Sequence, residues 1–564
     1  MLRVVILILM LIAPSASAVP RVQVMIPLDD GGRWLVGAYT AAGIDAITAS
    51  ASNPTTPEID GIAAAGTRMN HLISQPLCSN TRAAIMTGQS VHRDGNLYSN
   101  ARSPEFPALT TVEINPYAYN LPRAMQSLGF DTAFFGKSHI GTSREAQGIS
   151  ESFVAALGFD HADAVALSNL RRATPLEPGS GHPNELTSAE DAALGHNLWV
   201  HSDHGGNARV ETGYNSEVIF DTAIAYITQW LIDNPDPGDH LFVWIAPNAA
   251  HGPWCYDVQI GNSCDADDPN NPGHFKDDRP PGSTATSIQD VYRDMIEDLD
   301  TRIGELQDIL DVTKDQMLIL FDNGVPPEIP IPIECDESYG KKKFPHPCGT
   351  FVPAIWWGKD ITVGVMDGLL KVEDLTPTLI SLAGGTKYPS QDGISFSDCL
   401  TSSGGQTPAT CTIENEFVAI ARWDPVGGRG GGTIERAPQP GDLDTDWSLW
   451  HYSGWMGGFG TGLHLIYRIY WADFLPNFCE TFYLAPPTGD IYLHSKDFGG
   501  NFALADTCDE GQDGGLIDSG DFQDAGGTPD PTPDQSDLDA LARGHRGLAA
   551  MLKDQTPSFK GISF

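Results

Sequence analysis

In the stretch Val22-Gln23-Val24-Met25-Ile26-Pro27-Leu28-Asp29-Asp30-Gly31-Gly32, an apolar run of strand length stops on two acids and two glycines. Such a run reads as a buried strand with turn chemistry at its carboxyl end. The pattern returns three times. Thr132–Phe135 precedes Gly136-Lys137, Leu241–Ala246 precedes Pro247-Asn248, and Met317–Phe321 precedes Asp322-Asn323-Gly324. Helical periodicity fills the intervals. Ile219, Ala223, Ile227, Trp230 and Leu231 share one helix face; Ile288, Tyr292, Met295, Leu299, Ile303, Leu306 and Leu310 share another, with Ser287 and Asp290 as its start signal. This alternation predicts an α/β fold with a large, mainly parallel sheet between helical layers. Ligands of such sheets bind beyond the carboxyl ends of the strands. The polar residues that follow each run are therefore where chemistry is expected.

Beyond Cys411 the texture changes. Asp424–Asp446 is rich in Gly and Pro and reads as a loop, Gly462–Trp471 and Phe482–Leu493 read as antiparallel strands, Asp509–Ser536 reads as an acidic surface loop, and Leu538, Leu541, Leu548 and Leu552 suggest a closing helix. At 564 residues the chain is too long for one ordinary core. We expect an export signal over residues 1–18, a catalytic domain over 19–411 and a C-terminal subdomain with a small antiparallel sheet over 412–564. The signal is read from Arg3, the apolar run Val4–Ile12 and Ala16-Ser17-Ala18, and it implies a secreted or periplasmic protein. That run is too short to span a bilayer, so no stable membrane insertion is expected. His201 and His204 fall in a polar stretch that reads as loop. A formal net charge of -40 makes nucleic acid and anionic membranes unsuitable partners.

The nine cysteines are Cys78, Cys255, Cys264, Cys335, Cys348, Cys399, Cys411, Cys479 and Cys508. Eight form neighbouring couples, for which Cys255–Cys264, Cys335–Cys348, Cys399–Cys411 and Cys479–Cys508 are the simplest pairings in an oxidising compartment. Cys78 is left over, and an odd cysteine in an exported protein is a candidate reactive group.

Cys78 lies in Pro76-Leu77-Cys78-Ser79-Asn80-Thr81-Arg82-Ala83-Ala84-Ile85-Met86-Thr87-Gly88. This segment resembles the signature of the sulfatase family: Cys, three residues, Arg, then a helix ending in Thr-Gly. Other stretches resemble family motifs in the same order. They are Asp29-Asp30, Gly136-Lys137-Ser138-His139, Ala250-His251-Gly252-Pro253-Trp254, Asp322-Asn323-Gly324, Gly349-Thr350-Phe351-Val352-Pro353 and Asp374-Leu375-Thr376-Pro377-Thr378-Leu379. The resemblance implies an alkaline phosphatase-like fold that hydrolyses sulfate esters of a sulfated small molecule or glycan. It further implies that a formylglycine-generating enzyme converts Cys78 to formylglycine, an aldehyde that hydrates to a diol.

The residues support that chemistry on their own terms. Three carboxylates and an amide oxygen from Asp29, Asp30, Asp322 and Asn323, joined by the group made from Cys78, form a hard oxygen cage. Such a cage suits calcium better than magnesium. Arg82 returns to the face of Cys78 one helical turn later. A sulfated substrate is anionic, so an acidic chain must build a local positive field. Lys137, His139, His251 and Lys342 supply it, together with groups able to move protons. Lys342 is chosen from the run Lys341–Lys343 by its distance to Val352-Pro353 in the family pattern. The implied mechanism has one hydroxyl of the diol attack sulfur, aided by Asp322. His251, with Lys342, protonates the departing alcohol, and His139 takes the proton of the second hydroxyl as sulfate leaves.

Three departures from the family pattern stand out: Asn80 in the segment read by the converting enzyme, Ser138 for a bulky aromatic, and Pro326-Pro327 for a glycine-rich continuation. Two alternatives follow. One is a phosphodiester or phosphonate monoester hydrolase on the same fold. The other is a non-catalytic protein that binds sulfated glycans.

Overall fold

A computed structural model describes residues 19–40, 53–90, 114–141, 152–166, 169–170, 194–256, 278–326, 328–329, 342, 347–368 and 370–411, and a set of strands within 417–530. Its centre is a sheet whose strands are β1 (Val22–Leu28), β2 (Thr67–Ile73), β3 (Phe130–Lys137), β4 (His161–Ala166), β5 (Trp199–Ser202), β6 (Ala208–Glu211), β7 (His240–Ala246), β8 (Gln316–Phe321), β9 (Phe351–Gly358) and β10 (Gly364–Met366). They run in the order β10-β2-β9-β8-β1-β7-β3-β4-β5-β6, with the short strand Leu370–Lys371 beside β2. The block β8-β1-β7-β3-β4 is parallel throughout. Antiparallel β9 lies between β8 and β2, and β5 and β6 are added antiparallel at the far edge. This is the expected mainly parallel sheet, and all four strands read from apolar runs lie next to one another in it.

The two long helices form where their periodicity placed them, over Asn215–Asp233 and Ile288–Asp308. Ser287 caps the second, its side chain accepting from Asp290 N at 3.1 Å. Leu310 falls just past that helix and is buried with the core. Val24, Ile26, Phe134, Val243, Ile245, Leu318 and Leu320 are among the buried strand residues of one continuous core. At the end of β3, Gly136 has φ +93° and a Cβ there would lie 2.1 Å from the Ala246 carbonyl oxygen. Only glycine allows β3 and β7 to run so close just before Lys137.

Two local expectations need correction. His201 is not in a loop; it lies on β5 and is buried. The Phe482–Leu493 stretch is not one strand but the end of Leu475–Ala485 and the start of Tyr492–Asp497. These belong to a separate five-stranded antiparallel sheet with Phe417–Asp424, Asp444–Tyr452 and Gly462–Ala472, paired in chain order. Among the described residues of the acidic stretch, Phe522–Gln523 pairs antiparallel with Pro529–Asp530. The export signal and the closing helix lie outside the described residues. Of the expected disulfides, Cys399–Cys411 is formed. Cys255 is disulfide-bonded, with a partner outside the described residues. The side chains of the other two couples also lie outside them. No helix among the described residues is long and apolar enough to cross a membrane.

Candidate active site

Strands β1 and β8 are parallel neighbours with Leu28 opposite Phe321. The residues that follow each strand therefore meet. Asp30 N donates to Asp322 Oδ1 at 3.1 Å, and Gly31 N donates to the Asn323 carbonyl oxygen at 2.8 Å. Asp30 has φ 59°, a left-handed backbone that costs a non-glycine residue about 1–2 kcal/mol. Its carbonyl oxygen accepts from the Tyr292 hydroxyl at 2.6 Å, which anchors the turn to the Ile288–Asp308 helix.

Cys78 is the first residue of the Cys78–Thr87 helix, which is buried along its whole length. Leu77, at the N-cap, provides no side-chain cap, so the positive end of the helix dipole is directed at the site. Small residues such as Ala83 and Ala84 allow the helix to pack inside the core. One turn on, Arg82 is wholly buried. Its Nε donates to Asp322 Oδ2 at 2.8 Å, and its terminal nitrogens donate to the carbonyl oxygens of Lys137 at 3.0 Å and Pro27 at 3.4 Å. Arg82 thus ties the ends of β1, β3 and β8 together.

The other expected cations arrive from separate elements. Lys137 ends β3; its Nζ bonds Asp29 Oδ2 and donates to Asn169 Oδ1 at 2.7 Å. Lys342 bonds Asp30 Oδ1, and its Nζ lies 3.1 Å from Cys78 Sγ. His251 Nε2 stands 3.7 Å from Asp30 Oδ2, while its Nδ1 donates to the Gly252 carbonyl oxygen at 2.8 Å. His139 is buried two residues past Lys137, with φ 51°. All the residues expected from sequence are thereby brought into one site.

Burial sets the protonation of this site. It pushes the Cys78 thiol up, helped by the Asp29 charge, so the encoded cysteine stays a thiol. Burial and the Lys137 charge hold His139 well below the usual imidazole range; burial with Lys342 and Lys137 does the same to His251. Burial works against charge on Asp29 too, yet Lys137, His251, Arg82 and Lys342 together hold it well below the carboxylate range. Lys342 is held well above its ordinary value by Asp30 against the pull of burial. Asp322 is pushed up to about 7, by burial first and then by the Asp29 charge.

Donor atoms of Asp29, Asp30, Cys78 and Asp322 all lie within 4.8 Å of one another. Asp29 Oδ1 and Asn323 Oδ1 are buried without a hydrogen-bond partner. Buried acceptors left in this way are costly. A hard divalent cation would satisfy both and would reverse the pressure that raises Asp322, so these residues fit an oxygen-ligated metal.

Sequence reasoning missed two contributors. Asn169 offers no pattern at all; it is a single amide that meets Lys137 only in the fold. Tyr292 was legible as a core position, and a buried tyrosine needs a partner for its hydroxyl, but not which one. Trp254 donates its indole N–H to the Ala250 carbonyl oxygen at 2.9 Å and lies edge-on to Tyr292.

The family model described as Sulfatase matches residues 24–385, more than half of the chain. Human steryl-sulfatase (Homo sapiens) is 33% identical over 129 residues, 22% of this chain and 21% of its own length, so the chain matches about a fifth of that relative. N-acetylgalactosamine-6-sulfatase from Rattus norvegicus is 24% identical over 409 residues, covering 69% of this chain and 67% of that protein. Among solved structures, a sulfatase from Pseudoalteromonas sp. superposes with a TM-score of 0.53 at 17% identity, covering 95% of this chain and 92% of the other, which speaks for a shared alkaline phosphatase-like fold. A match of that extent to one family, on a sheet that carries its ordered motifs to a single point, establishes that the chain belongs to the sulfatase family.

Proposed function

We propose that the protein hydrolyses sulfate esters, with a sulfated glycan as its substrate class. The single observation that carries this reading is the convergence on Cys78. Lys342 Nζ lies 3.1 Å from its sulfur, and Arg82, Lys137, His139 and His251 join the same buried site. The glycan rests on the relative with the longer match of the two described, whose name is N-acetylgalactosamine-6-sulfatase.

Charge balance supports an anionic substrate. Three buried carboxylates, Asp29, Asp30 and Asp322, balance three buried cations, Arg82, Lys137 and Lys342. Any divalent ion added to that set leaves the site positive although the chain is strongly acidic. Asp29, Asp30, Asp322 and Asn323 would hold calcium, which when bound supplies electrostatic stabilisation of sulfate oxygens. An unmodified buried thiol is a poor nucleophile. Formylglycine at position 78, made by a formylglycine-generating enzyme, supplies when hydrated a nucleophile with two hydroxyls.

The chain's own residues then divide the work. Lys137, Lys342 and Arg82 bind and orient the sulfate and stabilise charge that develops on it. Asp322 accepts a proton at the nucleophile. His251 is neutral in the resting site, but an arriving anion favours its protonated form, from which Nε2 gives a proton to the leaving oxygen. His139 accepts a proton from position 78 as sulfate departs. The disulfide Cys399–Cys411 supports maturation in an oxidising compartment, in line with an export signal over residues 1–18. We assign the catalytic unit to residues 19–411 and the antiparallel sheet to a C-terminal subdomain.

Parallel assays with an aryl sulfate and an aryl phosphodiester test the reading, with mass spectrometry of the tryptic peptide Met69–Arg82. Sulfate release with an aldehyde in that peptide is expected. Preferred cleavage of the phosphodiester replaces the assigned substrate; a thiol in the peptide, no turnover and retained glycan binding indicate a non-catalytic binder.

A further inference from the structure

His251 sits on a segment, Asn248–Tyr256, that has no helix or strand of its own. A proton donor on irregular backbone needs something to hold it. His196 Nε2 lies 2.9 Å from the His251 carbonyl oxygen. A carbonyl only accepts, so Nε2 of His196 carries the proton. The His196 carbonyl oxygen accepts from Asn215 N at 2.7 Å, Asn215 Oδ1 accepts from Asn248 N at 3.0 Å, and the Asn248 carbonyl oxygen accepts from His251 N at 2.9 Å. These bonds form a closed circuit that begins and ends at His251. Asp278 braces it from outside: Oδ1 accepts from His196 N at 2.8 Å and Oδ2 from Cys255 N at 3.0 Å.

His196 and Asn215 are 0% exposed, and Asn248 and Asp278 are 1% exposed. Water does not compete for these bonds, so each holds its geometry. Asn215 opens the helix Asn215–Asp233 and Asn248 follows β7. The circuit therefore ties the His251 segment to two rigid elements. Among the described residues, the donor groups that converge on the cation site are Asp29, Asp30, Cys78, Asp322 and His251. His196 is not one of them, and no step of the reaction derived above uses it.

We propose that His196 is a positioning residue: it fixes the backbone of His251 so that Nε2 meets the leaving-group oxygen. This rests on the reading of His251 as proton donor. Displacing a reacting group by about 1 Å can cost two orders of magnitude in rate. The loss should fall on substrates whose leaving group needs the proton.

The test uses the holoenzyme, with position 78 converted and calcium present, and a series of aryl sulfates of graded phenol acidity. His251→Ala sets the benchmark by steepening the dependence of kcat/KM on phenol acidity. His196→Ala should lower kcat/KM about tenfold or more for the poorest leaving groups and about twofold or less for nitrophenyl sulfate, with KM little changed. His196→Gln offers an amide N–H to the same carbonyl and should return the slope toward wild type. His196→Leu keeps the bulk without the donor; it carries the test if the alanine variant does not fold. Adding His196→Ala to His251→Ala should steepen the slope no further. A loss that is equal for every substrate, or a further steepening in the double variant, overturns the proposal. If His251→Ala itself leaves the slope unchanged, the reading of His251 fails first and this inference falls with it.

Discussion

Arg82 Nε lies 2.8 Å from Asp322 Oδ2, and both side chains are wholly buried. The contact joins the second turn of the Cys78–Thr87 helix to the residue after β8, 240 residues later. Removing one partner leaves a buried charge without compensation, which costs about 3–5 kcal/mol. Arg82→Ala should therefore melt far below wild type or fail to accumulate. Arg82→Lys keeps the charge but loses the planar fork that also reaches the Lys137 and Pro27 carbonyl oxygens. It should fold with a lowered Tm and lose most sulfate ester turnover. Thermal melting and kcat on an aryl sulfate check both outcomes, and wild-type behaviour of the lysine variant would remove Arg82 from the site.

Bound cation should count toward stability as well as turnover. Asp29 Oδ1 and Asn323 Oδ1 lack partners in the protein, and Asp29, Asp30 and Asp322 crowd one another. A ligand at a hundredfold excess over its Kd stabilises by about 2.7 kcal/mol. Treatment with a chelator should lower Tm and abolish activity together, and added calcium should restore both. Asn323→Ala, which removes an oxygen without changing net charge, should raise the calcium concentration needed for that recovery. Identical melting with and without chelator would count against a cation at this position.

Tyr292→Phe isolates one support of the turn at Asp30. The hydroxyl donates to the Asp30 carbonyl oxygen at 2.6 Å, and the ring is otherwise core. Losing one buried hydrogen bond costs about 1 kcal/mol. The larger effect should fall on the site, because the left-handed Asp30 backbone loses a restraint. A higher calcium concentration for half-maximal activity, with a Tm only slightly lowered, is the expected result; a change in Tm alone would make Tyr292 purely structural.

What could be read from the chain followed from burial. The strands β1, β3, β7 and β8 are covered on both faces, so each is a plain apolar run, and their carboxyl ends showed the site. Strand β2 was not visible, because Arg68, Asn70 and His71 break its pattern. In the fold the Arg68 guanidinium donates to the Ala38 carbonyl oxygen, and Asn70 Nδ2 donates to Asp367 Oδ1. Polar residues inside a strand were thus absorbed by partners far away in sequence. Strands β5 and β6, of four residues each, are too short to carry a period. The site itself was legible through residue types in order, such as Cys78 with Arg82, and not through spacing alone. Asn169 and His196 were out of reach for a different reason: their partners, Lys137 Nζ and the His251 carbonyl oxygen, become neighbours only when β3, β7 and the β5 edge assemble.

Glu373 gives a pH-dependent prediction away from the cation site. Its side chain is buried, one carboxyl oxygen has no partner, and the other lies 3.5 Å from Gln75 Nε2. Burial raises its pKa from 4.5 to about 7; Lys371 works against that rise, while Asp374 and Asp392 add to it. The folded protein therefore holds this proton over a range in which the unfolded chain has lost it. Where the folded state binds more protons, stability falls as pH rises. The penalty is absent below pH about 4, grows between about 4.5 and 7, and is complete above that. A shift of this size corresponds to at most about 3 kcal/mol. Glu373→Gln removes the ionisation while keeping an oxygen for Gln75 and placing an N–H where the unpartnered oxygen stood. It should leave stability near wild type at pH 4.5 and raise it by about 1–3 kcal/mol at pH 8. Denaturant unfolding at the two pH values measures the difference, and a gain equal at both would mean that the glutamate is not the titrating group.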